Sequence, residues 1–253
     1  MKIICVIPAR YESSRFEGKP LADICGKPMI QQVYERVLKS DTVSYAAVAT
    51  DDQRIFAAVK KFGGNVIMTS TKHRSGTDRI AEAISTIDDI EDTDIVVNIQ
   101  GDQPIFEPLQ IDEVAGPLLE DSSVNMSTLI YRIKREEEIT HPNAVKVVFD
   151  RDKFAIYFSR ATIPYVRESG SEVNYYKHHG IYAYRKSFLM TFTRLEEGYL
   201  ERLEALEQLR AMEHGYKIKV VETSHDSVEV DTPEELEKIR KILKNERKVN
   251  ESY

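Results

Sequence analysis

Four stretches of the chain carry side chains suited to a phosphorylated ligand. The first, Pro8 to Leu21, places Arg10, Arg15 and Lys19 within a dozen residues and puts a glycine at 18. Backbone amides and cationic side chains of this kind hold a triphosphate, and glycine lets the backbone approach it closely. The stretch matches neither GxxxxGK[ST] nor GxGxxG. On composition alone it reads equally as a solvated basic turn. The second stretch is Gln100-Gly101-Asp102-Gln103-Pro104. A carboxylate at Asp102 suits magnesium bound to phosphates; alternatively it is a turn before a helix starting near Pro108. In the third, Thr232-x-x-Glu235 forms a capping box with Pro233 at the first helical position. Capping leaves Asp231 unexplained, either as a second metal ligand or as a helix-dipole partner. The fourth is Lys72 to Arg79 at a helix start, capped by Ser75 or Thr77. Arg79 there reaches a ligand or pairs with Glu82, and His73 reads as a surface histidine.

These residues need elements to aim them. Ile3 to Ile7 is a continuous apolar, β-branched run, the pattern of a strand covered on both faces. Tyr45 to Ala49, Val66 to Met68 and Ile95 to Ile99 repeat it. Helical periodicity lies between them: Met29 to Leu38, a stretch carrying Ile55, Val59 and Phe62 and capped by Asp51 or Thr50, and Gly76 to Ile87. Alternating strand and helix predicts a parallel three-layer α/β sheet. In such a sheet the basic loop and Asp102 both lie beyond the carboxyl ends of strands, where ligands bind. The second half differs. Met126 to Ile133, Ala144 to Phe149 and Gly180 to Tyr184 read as strands in mixed or antiparallel pairing. Leu200 to Met212 reads as one helix with Leu203, Leu206, Leu209 and Met212 on its apolar side. Lys217 to Val221 reads as a strand, Thr232 to Lys244 as a last helix, and Asn245 to Tyr253 as a frayed tail.

Composition narrows the function class. The 253 residues are 42% hydrophobic, enough for one sizeable core. A net charge of −7 disfavours a nucleic-acid surface, so any polyanion site is a local basic cluster. Cys5 and Cys25 form neither a CxxC pair nor a metal spacing, and they fit a reducing compartment. The opening apolar run stops at Pro8, too early for a signal peptide, and nothing approaches a membrane span. A soluble, cytoplasmic protein is expected.

The motifs together resemble one family. PARYESSRFEGKPL (8–21) is similar to the signature of the 3-deoxy-manno-octulosonate (Kdo) cytidylyltransferases. HRSGTDR (73–79), QGDQP (100–104), HPNAVKVV (141–148), YFSRATIP (157–164), HHGIYAY (178–184), LEQLR (206–210) and VDTPEEL (230–236) follow in the family's order. The resemblance implies a Rossmann-like nucleotidyltransferase fold: one domain over 1–253, with a sugar-binding and dimerisation subdomain near 126–184. It implies transfer of CMP from CTP to Kdo with release of pyrophosphate, magnesium as cofactor, a homodimer, and no nucleic-acid or membrane partner. Ala9, Arg10, Ser13, Arg15 and Lys19 match the triphosphate loop, with Arg15 and Lys19 also catalytic. Ser75, Thr77 and Arg79 match nucleotide contacts. Asp102 and Asp231 match the magnesium ligands. Arg160 matches a sugar-site arginine whose fork suits a carboxylate, and Gln100, His178, Tyr182, Glu207 and Gln208 match the sugar pocket. No dedicated general base stands out. Three features depart from the pattern: the 164–178 stretch looks short, His179 follows His178, and Gln103 replaces a glutamate of many relatives. The rivals are a cytidylyltransferase for another sialic-acid-like sugar and a silent nucleotide-binding paralogue.

Overall fold

The computed structural model describes residues 1–12, 16–168, 170 and 172–250, with side chains as far as Lys244. The first half contains β1 (Ile3–Ala9), a small hairpin of β2 (Asp23–Ile24) and β3 (Lys27–Pro28), α1 (Met29–Val37), β4 (Val43–Thr50), α2 (Gln53–Lys61), β5 (Val66–Met68), α3 (Gly76–Ser85), β6 (Ile95–Asn98) and α4 (Leu109–Glu120). The second half contains β7 (Met126–Arg132), α5 (Glu136–Thr140), β8 (Lys146–Phe149), β9 (Ala155–Ser159), β10 (Tyr176–Arg185), α6 (Lys186–Phe192), α7 (Tyr199–Glu204), α8 (Gln208–Glu213), β11 (Lys219–Thr223) and α9 (Pro233–Asn250). The main sheet runs in the order β11-β7-β10-β6-β1-β4-β5. The pairs β1–β4, β1–β6, β4–β5 and β7–β11 are parallel, and β10 runs antiparallel to both β6 and β7. The sheet is therefore mainly parallel, as the alternation of apolar runs predicts. Of the segment 126–184, β7 and β10 are strands of this main sheet, and β8 with β9 forms an antiparallel extension from β10.

The layers follow from β1 itself. Ile3, Cys5, Ile7 and Ala9 point to one face, among Ile30, Val33, Ile55, Val59 and Ile111 of α1, α2 and α4. Ile4 and Val6 point to the other, among Ile80 and Ile84 of α3 and Phe188 of α6. Every residue of β1 is buried. A third, smaller cluster joins Ile24 and Met29 to Leu236, Ile239 and Leu243, so α9 closes over the β2–β3 hairpin. Cys25 and Gly26 turn that hairpin at φ 54° and 86°, the left-handed pair that a two-residue turn requires.

Several predicted elements come out differently. Asp52, and not Asp51 or Thr50, caps α2, accepting from the Arg54 amide at 2.8 Å. The predicted helix from Leu200 to Met212 is two helices, α7 and α8, separated at Ala205 in the left-handed conformation (φ 49°). Tertiary bonds hold both ends of α7. The Glu213 carboxylate accepts from the amides of Leu200 and Glu201, while the Arg160 guanidinium binds the carbonyls of Glu204 and Ala205. Leu203, predicted apolar-facing, is exposed. α9 continues past Lys244 to Asn250; the rest of the predicted tail lies outside the described residues. Among the described residues no helix is long and apolar enough to cross a membrane.

Candidate active site at the carboxyl ends of the parallel strands

β1 continues to β4 and β5 on one side and meets β6 on the other. The chain thus reverses direction across the sheet beside β1, the place where open α/β sheets bind ligands. The loop after β1 is folded back on itself: the Gly18 amide bonds the Tyr11 carbonyl at 2.9 Å, and Gly18 adopts φ 70°. The Arg54 guanidinium lies 3.2 Å from the Tyr11 ring centroid and fastens the loop to α2. Past Gly18, a single turn of 3-10 helix, Lys19–Leu21, turns the Lys19 side chain inward.

Asp102 enters from the loop after β6. A side chain on Gly101 would lie 2.9 Å from the Pro8 carbonyl, so glycine permits the two strand ends to sit this close. Asp231 arrives from the far end of the chain. The segment before α9 is held on the β6 loop by bonds from Val228 to the Ile105 carbonyl and from Val230 to the Asp102 carbonyl. The predicted capping box is present: Thr232 Oγ1 accepts from the Glu235 amide, and the Glu235 carboxylate accepts from the Thr232 and Asp231 amides. The result is convergence. Lys19 Nζ lies 2.6 Å from Asp102 Oδ2 and 3.2 Å from Asp231 Oδ1. Burial alone would lower the Lys19 ammonium, but the two carboxylates outweigh it and hold the pKa above its ordinary value.

The donor set fits magnesium. Two hard carboxylate oxygens approach one cation together. Among the described residues no cluster of three or more histidines, cysteines or acids could hold a metal by itself. Magnesium is typically held by one or two carboxylates, with water and substrate phosphate completing the shell.

The predicted residues divide among three cavities. The first, of roughly 210 Å³, gathers Ala9, Arg10, Lys19, Gln100, Asp102 and Asp231, with Arg79 at its wall. Arg79 is fully buried. Its guanidinium spends two nitrogens on Thr69 and on Asp51 at 2.6 Å, and its Nε meets no partner among the described residues. The alternative partner Glu82 is bound instead to His73 and to the Ser70 amide. The second cavity shares Asp231 with the first and adds His178, Asn143, Lys177 and Glu229. The third holds Ser75 and Glu207. Ser75 caps α3, and Thr77 donates to the Glu207 carboxylate, so two predicted nucleotide contacts are bound within the protein. Burial raises the Glu207 pKa against those hydrogen bonds; Glu207 Oε1 and Gln208 Nε2 are buried without hydrogen-bond partners among the described residues, the former 3.8 Å from the Arg210 guanidinium. Tyr182 is buried, with its ring 5.2 Å from His178 and 5.8 Å from Tyr184. Arg160 gives three of its five N–H groups to the carbonyls of Glu204, Pro142 and Ala205. Ser13 and Arg15 lie outside the described residues.

His178 and His179 point to opposite sides of β10. His179 is buried against Asp226 at 3.1 Å and stacks on Tyr131. His178 faces Phe158, Tyr182 and the Thr128 hydroxyl at 3.0 Å. The Thr128 hydroxyl hydrogen is directed to the carbonyl of Ile181 or His179, so toward His178 it presents a lone pair. His178 Nε2 therefore carries the proton and Nδ1 is an acceptor. Burial holds the His178 pKa down to about 3, which keeps the ring neutral.

Two residues that sequence reading missed belong here. Asp226 bonds Lys177 at 3.0 Å as well as His179, and these partners overcome desolvation to lower its pKa to about 2. Glu229 retains solvent contact, yet its carboxylate accepts from the buried Gln103 amide at 2.8 Å. Desolvation first, then the Asp102 charge, raises its pKa to about 7. Both sit in a polar run with no motif of its own; their signal is the chain's return across β10 and the β6 loop, which only the fold supplies.

A mainly parallel sheet, a basic loop after its first strand and two converging carboxylates define an α/β nucleotidyltransferase. Comparison with known proteins agrees. Residues 4–218 match the family model described as Cytidylyltransferase. A 3-deoxy-manno-octulosonate cytidylyltransferase of Syntrophus aciditrophicus is 74% identical over 242 residues, 96% of this chain and 97% of that one. One from Desulfatibacillum aliphaticivorans is 55% identical over 97% of this chain and all of the relative. Among solved structures, a CMP:2-keto-3-deoxy-manno-octonic acid synthetase complexed with CTP superposes with a TM-score of 0.91 at 44% identity, covering 97% of this chain and 100% of that one. The chain belongs to the cytidylyltransferase family, and within it to the 3-deoxy-manno-octulosonate cytidylyltransferases.

Proposed function

We propose that this protein transfers CMP from CTP to Kdo, giving CMP-Kdo and pyrophosphate, with magnesium as cofactor. The observation that carries the reading is the convergence of Lys19, Asp102 and Asp231 on one point beyond β1 and β6. Bound there, magnesium would neutralise charge on the α-phosphate and lower the pKa of the attacking sugar hydroxyl. Lys19, already drawn into the anionic centre, stabilises charge developing on the departing pyrophosphate. Arg10 and the amides of the loop after β1 orient the triphosphate. Neutral His178 accepts a hydrogen bond from the sugar through Nδ1, and Tyr182 backs the ring. The two remaining Arg160 N–H groups are the ones offered to the sugar carboxylate. A homodimer, a cytoplasmic setting and supply of activated sugar for lipopolysaccharide belong to the same reading.

The test is pyrophosphate release from CTP and magnesium, with Kdo and with N-acetylneuraminate offered separately. Release with Kdo alone is expected. Release with N-acetylneuraminate alone would keep the nucleotide half and overturn the sugar assignment. Light scattering of the eluting protein should give twice the chain mass.

A further inference from the structure

Gln103 and Glu229 form a pair that the reading above leaves without a role. Gln103 is fully buried, and its Oε1 meets no donor among the described residues, while its Nε2 donates to Glu229 Oε1 at 2.8 Å. Opposite them on β10 is Gly180. A Cβ there would stand 3.5 Å from Glu229 Oε1, 3.6 Å from Gln103 Nε2 and 3.7 Å from Gln100 Cγ. The glycine thus leaves a methyl-sized slot bounded by the Gln103 amide, the Glu229 carboxylate and a methylene of Gln100. Gln100 lines the first cavity and Glu229 the second, and the two cavities share Asp231.

Chemistry selects what the slot takes. A carboxylate repels a triphosphate, and it accepts hydrogen bonds from hydroxyls. Gln103 cannot replace Glu229 in this, because its acceptor oxygen is buried. Gln103 instead serves as the amide that orients the carboxylate presented from 229. Two carboxylates at those positions would repel at this distance.

We propose that Glu229, oriented by Gln103, is a specificity-determining residue for the acceptor sugar and accepts a hydrogen bond from one of its hydroxyls in the slot beside Gly180. The inference rests on the acceptor being a polyhydroxylated acidic sugar, as read above.

The test is Glu229→Gln, which keeps the shape and can still accept from Gln103. The KM for Kdo should rise roughly fivefold or more, the scale of one hydrogen bond lost from the bound sugar. The KM for CTP should stay within about twofold, and the melting temperature should not move. Calorimetric binding of Kdo in the presence of a non-hydrolysable CTP analogue should weaken by the same factor. Of a set of monodeoxy-Kdo analogues, one should be discriminated against by the native protein and not by the variant. An unchanged KM for Kdo, or equal changes in the two KM values, would overturn the proposal. If Glu229→Gln melts low, the exchange Gln103→Glu with Glu229→Gln returns one carboxylate and one amide to the slot. Recovery of the sugar KM is then expected, and recovery of melting without it counts against the role. Should the native protein use only another acidic sugar, the function assignment fails while the same variants, assayed with that sugar, still decide on Glu229.

Discussion

Lys19 stands between two carboxylates, and removing it has two separable effects. In Lys19→Met, Asp102 and Asp231 face one another without their shared cation, so the protein should melt lower and magnesium should restore more of the loss than it adds to the native protein. Turnover should fall by at least ~10²-fold, the scale of one lost transition-state contact, and magnesium should not restore it. Thermal melts with and without metal, beside a pyrophosphate assay, check both. Asp102→Asn should fold normally and lose turnover on a similar or larger scale; a variant that melts normally and turns over normally would remove Asp102 from the mechanism. Much of this was legible in the sequence. Lys19 and Asp102 follow strand-like runs, and Asp231 was the residue that capping did not explain. Glu229 was not legible, because an exposed acid in a polar run has no pattern until Gln103 and Gly180 are placed beside it. The bonds that occupy Arg160 were equally hidden, since they end on carbonyls of distant loops.

Individual elements carry their own tests. If 200–212 were one continuous helix, Ala205→Gly would destabilise by about 1 kcal/mol. Ala205 instead occupies the left-handed region, where L-residues are strained by roughly 1–2 kcal/mol, so the same change should be neutral or stabilising. A urea melt gives the sign directly. Gly101→Ala is the opposite case. Its Cβ would meet the Pro8 carbonyl, a backbone atom that cannot swing aside. A loss of stability together with a loss of turnover is expected, because Asp102 moves with the loop. The strands of the first half were readable because buried parallel strands are near-continuous apolar runs. The α7–α8 break was not, because the apolar spacing of Leu203, Leu206, Leu209 and Met212 continues across it, and the bonds from Arg160 to the Glu204 and Ala205 carbonyls at the end of α7 come from a distant segment.

The whole molecule responds to acid through groups held in one protonation state. His178 is kept neutral, with a pKa near 3 against an ordinary 6.5. The unfolded chain therefore takes up its proton first, and this contribution, complete above pH 6.5, is lost as pH falls from there toward 3, at up to ~1.4 kcal/mol per unit. Asp226, lowered from 3.8 to about 2, adds stability that is present above pH 4 and lost as pH falls to 2. It bridges Lys177 and His179 of β10 to the segment that leads to Asp231. Melting temperatures should fall between pH 7 and 5, with a shallower fall in His178→Gln. A flat profile in the native protein would show that the imidazole is not held neutral.

Lys19 and Asp231 are 212 positions apart along the chain, yet they share one hydrogen bond. The bond joins the start of the first layer to the entrance of the last helix, which is itself clamped over the β2–β3 hairpin. During synthesis the basic loop emerges first and its second carboxylate arrives 212 residues later. A nascent chain can fold its sheet and even present its basic loop while remaining unable to assemble the charged centre. If Asp231 holds the metal as proposed, chemistry on the nucleotide waits until that residue has been made, and a fragment stopped before Asp231 should be inert.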